Sequence, residues 1–240
     1  MEFILFVCIN TFSSFFQSIM GFGSALIAIP LLFIFLDKET ILTAVTIIGF
    51  FFNLFLMFKI KAPINKKIFY PLFVFSLLGL PLGILILKFV PISILKIATG
   101  SMSILFTIIL LFSKIKLNNS WFITGIAGFV AGILQTSTSM NGPPVVLVLN
   151  GTNTSKNESR KLLVTYFFFI NVITLPLFII SGTINTKGII FGLSSIPFII
   201  VAGFFGNKVS HWIPEKYYRI ITLITISITG LIAVNAGLKK

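Results

Sequence analysis

Two stretches of this sequence group residues suited to binding an anion. The first, Gln17-Ser-Ile-Met-Gly21-Phe-Gly23-Ser24, sets an amide and two hydroxyls around two glycines. The second, Gln135-Thr-Ser137-Thr138-Ser139-Met-Asn141-Gly142-Pro-Pro144, is a succession of amides and hydroxyls closed by two prolines. Neither contains a charge, so the chemistry on offer is hydrogen-bond donation. If each stretch interrupts a helix, the free N–H groups and positive dipole end of the helix that restarts favour a negative ligand. In the first stretch the N–H groups of Gly23, Ser24 and Ala25 can cradle an oxyanion, with Gln17 and Ser24 beside them. In the second, Pro143 and Pro144 lack N–H groups, so Gln135, Ser137, Thr138, Ser139 and Asn141, with Gly142, must supply the donors. Gly21 belongs to the first break, although its plainer role, like that of Gly128 and Gly132, is to let helices approach closely.

These polar runs lie in very apolar surroundings. Of 240 residues 57% are apolar, only 10% are charged, and mean hydropathy is +1.11. That is far from the quarter charged of an average soluble domain. Apolar runs of about 20 residues, enough to cross a hydrocarbon core roughly 30 Å thick, recur from end to end. The sequence therefore reads as one all-helical membrane domain over residues 1–240. The net charge of +13 does not indicate nucleic acid, because the Lys and Arg lie in short gaps between apolar runs and the 29 Phe lie inside them. Cys8 is the single cysteine, which leaves no internal disulfide or cysteine metal site. The N-terminal run carries Glu2, has no basic start and no convincing cleavage site, and so reads as mature structure.

Eight apolar segments are expected: Phe3 to Leu36, Ile41 to Phe58, Ile68 to Leu87, Ile92 to Phe112, Trp121 to Thr152, Leu162 to Ile180, Gly188 to Gly206 and Ile220 to Ala236. The first and fifth are too long. Phe3 to Leu36 as one helix would measure about 50 Å, so it must break, most naturally at Gly21-Phe22-Gly23. The fifth must break between Gln135 and Pro144, where proline ends one helix and suits the start of another. Asn53 and Asn171 follow Gly23 and Gly142 by 30 and 29 residues, which suggests a duplication with repeats 1–116 and 117–240. Each Asn can be helix-packing glue or substrate contact.

Charge then bears on topology. Eight single crossings would leave nine Lys and Arg on each face, and the positive-inside rule would be silent. If segments one and five are hairpins, one face collects Lys59, Lys61, Lys66, Lys67, Lys114, Lys116, Lys156, Arg160, Lys161, Lys208, Lys216 and Arg219. The other keeps Lys38, Lys88, Lys96, Lys187, Lys239 and Lys240, so the count becomes twelve against six. This favours inverted repeats, a cytoplasmic central loop and both termini outside. The short arm after Pro143 points to re-entry in the second hairpin, whereas the first either re-enters or crosses twice.

Arg160, beside Lys161 at the start of segment six, either draws an anion inward or marks the cytoplasmic face. His211 is the one histidine, and Glu2, Asp37, Glu39, Glu158 and Glu215 all lie near interfaces, so no catalytic constellation or metal cluster forms. No cofactor is implied, and no buried carboxylate offers a proton relay. The reading is a transporter of a small anion, not an enzyme, with its coupling ion open. The alternative is a membrane scaffold or assembly partner in which the breaks serve packing alone.

The two breaks also carry a family resemblance. The run from Gln17 to Pro30 (QSIMGFGSALIAIP) resembles the first-repeat signature of the TauE/SafE sulfite exporters. The run from Gly128 to Pro144 (GFVAGILQTSTSMNGPP) resembles the second, with Arg160 where many members place an arginine. Ser137, Thr138, Ser139 and Met140 stand where glycine is common. The resemblance implies an inner-membrane permease of about eight helices for sulfite, sulfonates, thiosulfate or related small organic anions.

Overall fold

A computed structural model describes residues 1–112, 120–152, 154–209, 212 and 215–238. Lys114, Lys116, Lys239, Lys240 and His211 lie outside the described residues, as do the side chains of Lys216 and Arg219. The described elements are helices: α1 (Glu2–Met20), α2 (Ser24–Leu32), α3 (Lys38–Lys59), α4 (Lys66–Phe89), α5 (Ile92–Phe112), α6 (Trp121–Thr138), α7 (Gly142–Asn150), α8 (Lys156–Ile180), α9 (Thr186–Val209) and α10 (Glu215–Leu238). Seven of these, α1, α3, α4, α5, α6, α8 and α9, are long and apolar enough to cross a membrane. With nine residues each, α2 and α7 are only about 14 Å long and cannot cross alone.

Both over-long segments break where the sequence places the breaks. α1 stops at Gly21 (φ 85) and α2 starts from Gly23 (φ 105). Both angles lie in the left-handed region, where a Cβ costs about 1–2 kcal/mol, so glycine is the residue that fits. α6 stops at Ser139, whose φ of 55 is the one positive value at a non-glycine among the described residues. α7 restarts from Asn141 with prolines in its first turn, where their missing N–H groups would lack helical partners anyway.

Packing pairs the first helix of each half with the fourth of the other: α1 lies on α9, and α6 on α4. α3 packs between α8 and α9, α5 pairs with α10, and α2 rests on α10 and α5. Small residues allow the close approaches, as expected in a bilayer. Gly79 and Gly83 on α4 lie against the α6 backbone at Phe129 and Ile133, and on α6 a Cβ on Gly128 or Gly132 would collide with the carbonyls of Leu72 or Ser76. Gly188 and Gly192 seat α9 on α3 in the same way. A buried hub ties α4, α6 and α8: the Ser76 hydroxyl lies 2.7 Å from the carbonyls of Leu72 and Gly128 and 2.6 Å from the Tyr166 hydroxyl.

The helix ends gather into two groups. Lys187 at the start of α9 bonds Glu2 at the start of α1 (2.8 Å), and Asn185 bonds Thr40 (2.8 Å) and Asp37 (3.4 Å) at the start of α3. Lys38 donates to the carbonyls of Leu87 (2.5 Å) and Val90 (3.3 Å), which brings the end of α4 to the same place. Elsewhere, Lys161 near the start of α8 donates to Met57 near the end of α3 (2.5 Å). α3 and α8 thus run antiparallel past each other, with the Phe50 and Phe168 rings tilted against each other at 5.3 Å near their middles.

Candidate functional site

The two breaks border one cavity of about 60 Å³. From the first half its lining includes Gln17, Gly23 and Ser24, and from the second Gln135, Ser139, Met140, Asn141 and Gly142. Gly49, Phe52 and Asn53 of α3 and Phe167 and Asn171 of α8 add to the wall, which sets the cavity near mid-height of those two helices.

Each break is braced by an amide pair. The Gln17 Nε2 donates to Asn53 Oδ1 at 2.9 Å, and the Gln135 Nε2 donates to Asn171 Oδ1 at 3.0 Å. The partners are 36 residues apart in both cases, and all four side chains are buried. The Ser24 hydroxyl donates to Gln17 Oε1, which ties the start of α2 back to α1. Asn53 also donates to the Gly49 carbonyl at 2.7 Å. At the second break Asn141 makes no capping bond with its side chain.

Two hydroxyls at this cavity have no partner. Ser139 is 6% exposed and Thr46 1% exposed, both line the cavity, and neither Oγ atom makes a hydrogen bond. A buried polar group left unpaired costs roughly 1–3 kcal/mol. Ser139 adds the strain of its left-handed backbone, a combination typical of functional positions. Among the described residues that line the cavity, none is Asp, Glu, Lys, Arg or His. Polarity there comes from amides, hydroxyls and the ends of helices.

Of the residues singled out by sequence, Gln17, Gly23, Ser24, Gln135, Ser139, Asn141 and Gly142 come together here. Gly21, Ser137, Thr138 and Arg160 do not line the cavity. Ser137 and Thr138 turn their hydroxyls back onto their own helix, at Ile133 (2.7 Å) and Leu134 (3.0 Å). Gly21 abuts Arg160, where a Cβ would lie 3.1 Å from the arginine Cα. Arg160 itself is 3% exposed and donates through Nη2 to the Ser18 carbonyl and to Asn207 Oδ1 (3.0 Å). It therefore places a cation at the negative, C-terminal end of α1.

The sequence did not single out Asn10 and Ser14 on α1 or Thr46 and Gly49 on α3, yet all four line the cavity. One signal was present: Asn10, Ser14 and Gln17 stand four and then three positions apart, the spacing of one helix face. Thr46 follows Thr40 and Thr43 at spacings of three along α3, a further signal that a polar face was there to be read.

A family model described as "Sulfite exporter TauE/SafE" matches residues 6–232. The chain belongs to this family. Membership implies membrane transport of sulfur-containing anions by a multi-pass helical protein, in agreement with the seven apolar helices of crossing length. No curated protein and no solved structure matches the chain.

The strain at Ser139 yields a prediction that separates stability from binding. Ser139→Gly removes both the left-handed cost and the unpaired hydroxyl, so the variant should be more stable by about 1 kcal/mol. Thermal unfolding in detergent should show a higher Tm, while the anion's stabilising effect on Tm shrinks. A lower Tm with anion protection unchanged would mean that the Ser139 hydroxyl serves the fold alone.

Proposed function

We propose that this chain carries a small sulfur-containing anion, sulfite, a sulfonate or a related organic anion, across the cytoplasmic membrane, and binds it where the two helix breaks meet. The observation that supports this most is the shared cavity, bordered by two helix N-termini and by buried hydroxyls with no protein partner. The N–H groups of Ser24 and Ala25, with the side chains of Gln135, Ser139 and Asn141, supply donors to the anion. Gln17 and the glycines shape the break. Gly21, Ser137, Thr138 and Arg160 act from behind it, holding helix ends in place. A scaffold with no cargo gains nothing from unpaired buried hydroxyls, which argues against the packing-only alternative.

The topology we propose is two inverted halves, residues 1–116 and 117–240, each opening with a re-entrant hairpin. Its support is the equal spacing of the two amide pairs and the meeting of Glu2 with the neighbourhood of Asp37 and Asn185, which brings the start of α1 and the end of α2 to one side. In this arrangement Lys59, Lys61, Lys66, Lys67 and Lys161 belong to the opposite side, which the positive-inside rule makes cytoplasmic.

Transport is tested in proteoliposomes, with flux corrected against protein-free vesicles. Labelled sulfite or a taurine-like sulfonate should move with wild-type protein, and Ser139→Ala or Asn141→Ala should each weaken apparent affinity about 10-fold or more, as expected for losing a donor to a charged group. Failure to move any anion from either side would end this reading. Sidedness is tested in a Cys8→Ser background with a membrane-impermeant maleimide on intact cells. Lys88→Cys should label directly and Lys61→Cys only after permeabilisation; labelling of both from one side would contradict the hairpins.

A further inference from the structure

We propose that the site takes a singly charged oxyanion, so that sulfite is carried as hydrogen sulfite and one proton travels with each sulfur. This rests on the anion-carrier reading above and adds the charge state of the cargo. Among the described residues lining the cavity no side chain bears a charge, so the field comes from helix ends and from groups just behind them. α2 and α7, nine residues each, begin at the cavity with Ser24 and Gly142, while α1 and α6 end close by, after Gln17 and at Ser139. Each terminus is worth about half an elementary charge, positive at the start of a helix and negative at its end. The four ends therefore cancel in pairs.

What is left is the guanidinium of Arg160. It is buried, it bonds the carbonyl of Ser18, next in sequence to the cavity residue Gln17, and it donates to that carbonyl and to the Asn207 amide oxygen. With no carboxylate among its acceptors in the described residues, this one positive charge matches a monoanion. A dianion would leave a full negative charge unbalanced in a low-dielectric interior, where desolvation of an unpaired ion is heavily penalised. Independent of the helix ends, the unpaired hydroxyls of Thr46 and Ser139, both on residues more than nine-tenths buried, leave donors for a ligand from opposite halves of the chain. The space, about 60 Å³, suits a compact oxyanion. A protonated cargo also supplies a proton where the lining has no carboxylate to relay one.

Calorimetric titration of the full-length protein in detergent, in buffers of different ionisation enthalpy, tests this directly. Above the second ionisation of sulfurous acid, sulfite binding should take up about one proton per anion, and affinity for total sulfite should fall about tenfold per pH unit. Chlorate, monovalent throughout, should bind with no proton uptake, and sulfate should bind much more weakly than chlorate. Sulfite affinity that stays level or rises with pH, or sulfate binding as tightly as chlorate, would overturn the charge assignment and leave the carrier reading standing. Absence of binding by all three anions at every pH would overturn both.

Discussion

A helix broken inside a bilayer frees carbonyls at one side of the break and N–H groups at the other, and lipid offers neither a partner. Most of the structure around the two breaks answers this constraint. Arg160 takes the Ser18 carbonyl at the end of α1, and Gln17 reaches across to Asn53 while accepting from Ser24. At the second break Gln135 reaches Asn171, and Thr136 bonds the Leu80 carbonyl of α4 at 2.7 Å. After these bonds are made, the groups without a protein partner include the hydroxyls of Thr46 and Ser139, and both residues line the cavity. Thr11, Thr165 and the Arg160 Nε are also unpaired but lie away from this cavity, so what marks Thr46 and Ser139 is that their free hydroxyls line it.

The same logic accounts for several of the chain's cations. Lys38 binds the last carbonyls of α4, Lys161 a carbonyl in the last turn of α3, and Arg160 one in the last turn of α1. Each complements the negative end of a helix dipole. A net charge of +13 therefore coexists with a cavity that has no charged lining residue. The lysines and arginine with such contacts serve helix ends, and the cavity lining is left to neutral amides and hydroxyls.

The helices and their breaks were legible because their signals are local. Segment length exceeds what a bilayer needs, Gly21 and Gly23 supply a turn, and Pro143 and Pro144 cannot continue a helix but can begin one. Gly128 and Gly132 were legible as packing residues, and they meet the backbone of α4 as that role demands. The site was legible only in part, because which face of a break meets the cavity depends on partners far away in sequence. Ser137 and Thr138 looked like donors, but their hydroxyls are spent on Ile133 and Leu134 one turn back. Arg160 bonds a carbonyl 142 residues away, and nothing in its neighbourhood announces that. Asn53 and Asn171, readable as either glue or contact, bond the glutamines and also line the cavity.

The central claim is that both breaks face one space and that an anion occupies it. An experimental structure of the full chain in nanodiscs or crystals, with selenite as a heavier stand-in for sulfite, tests this most directly through selenium's anomalous signal. The account predicts a single strong peak bounded by Ser24, Thr46, Ser139 and Asn141. Breaks lying apart, or a peak held elsewhere with this cavity sealed by apolar side chains, would contradict it.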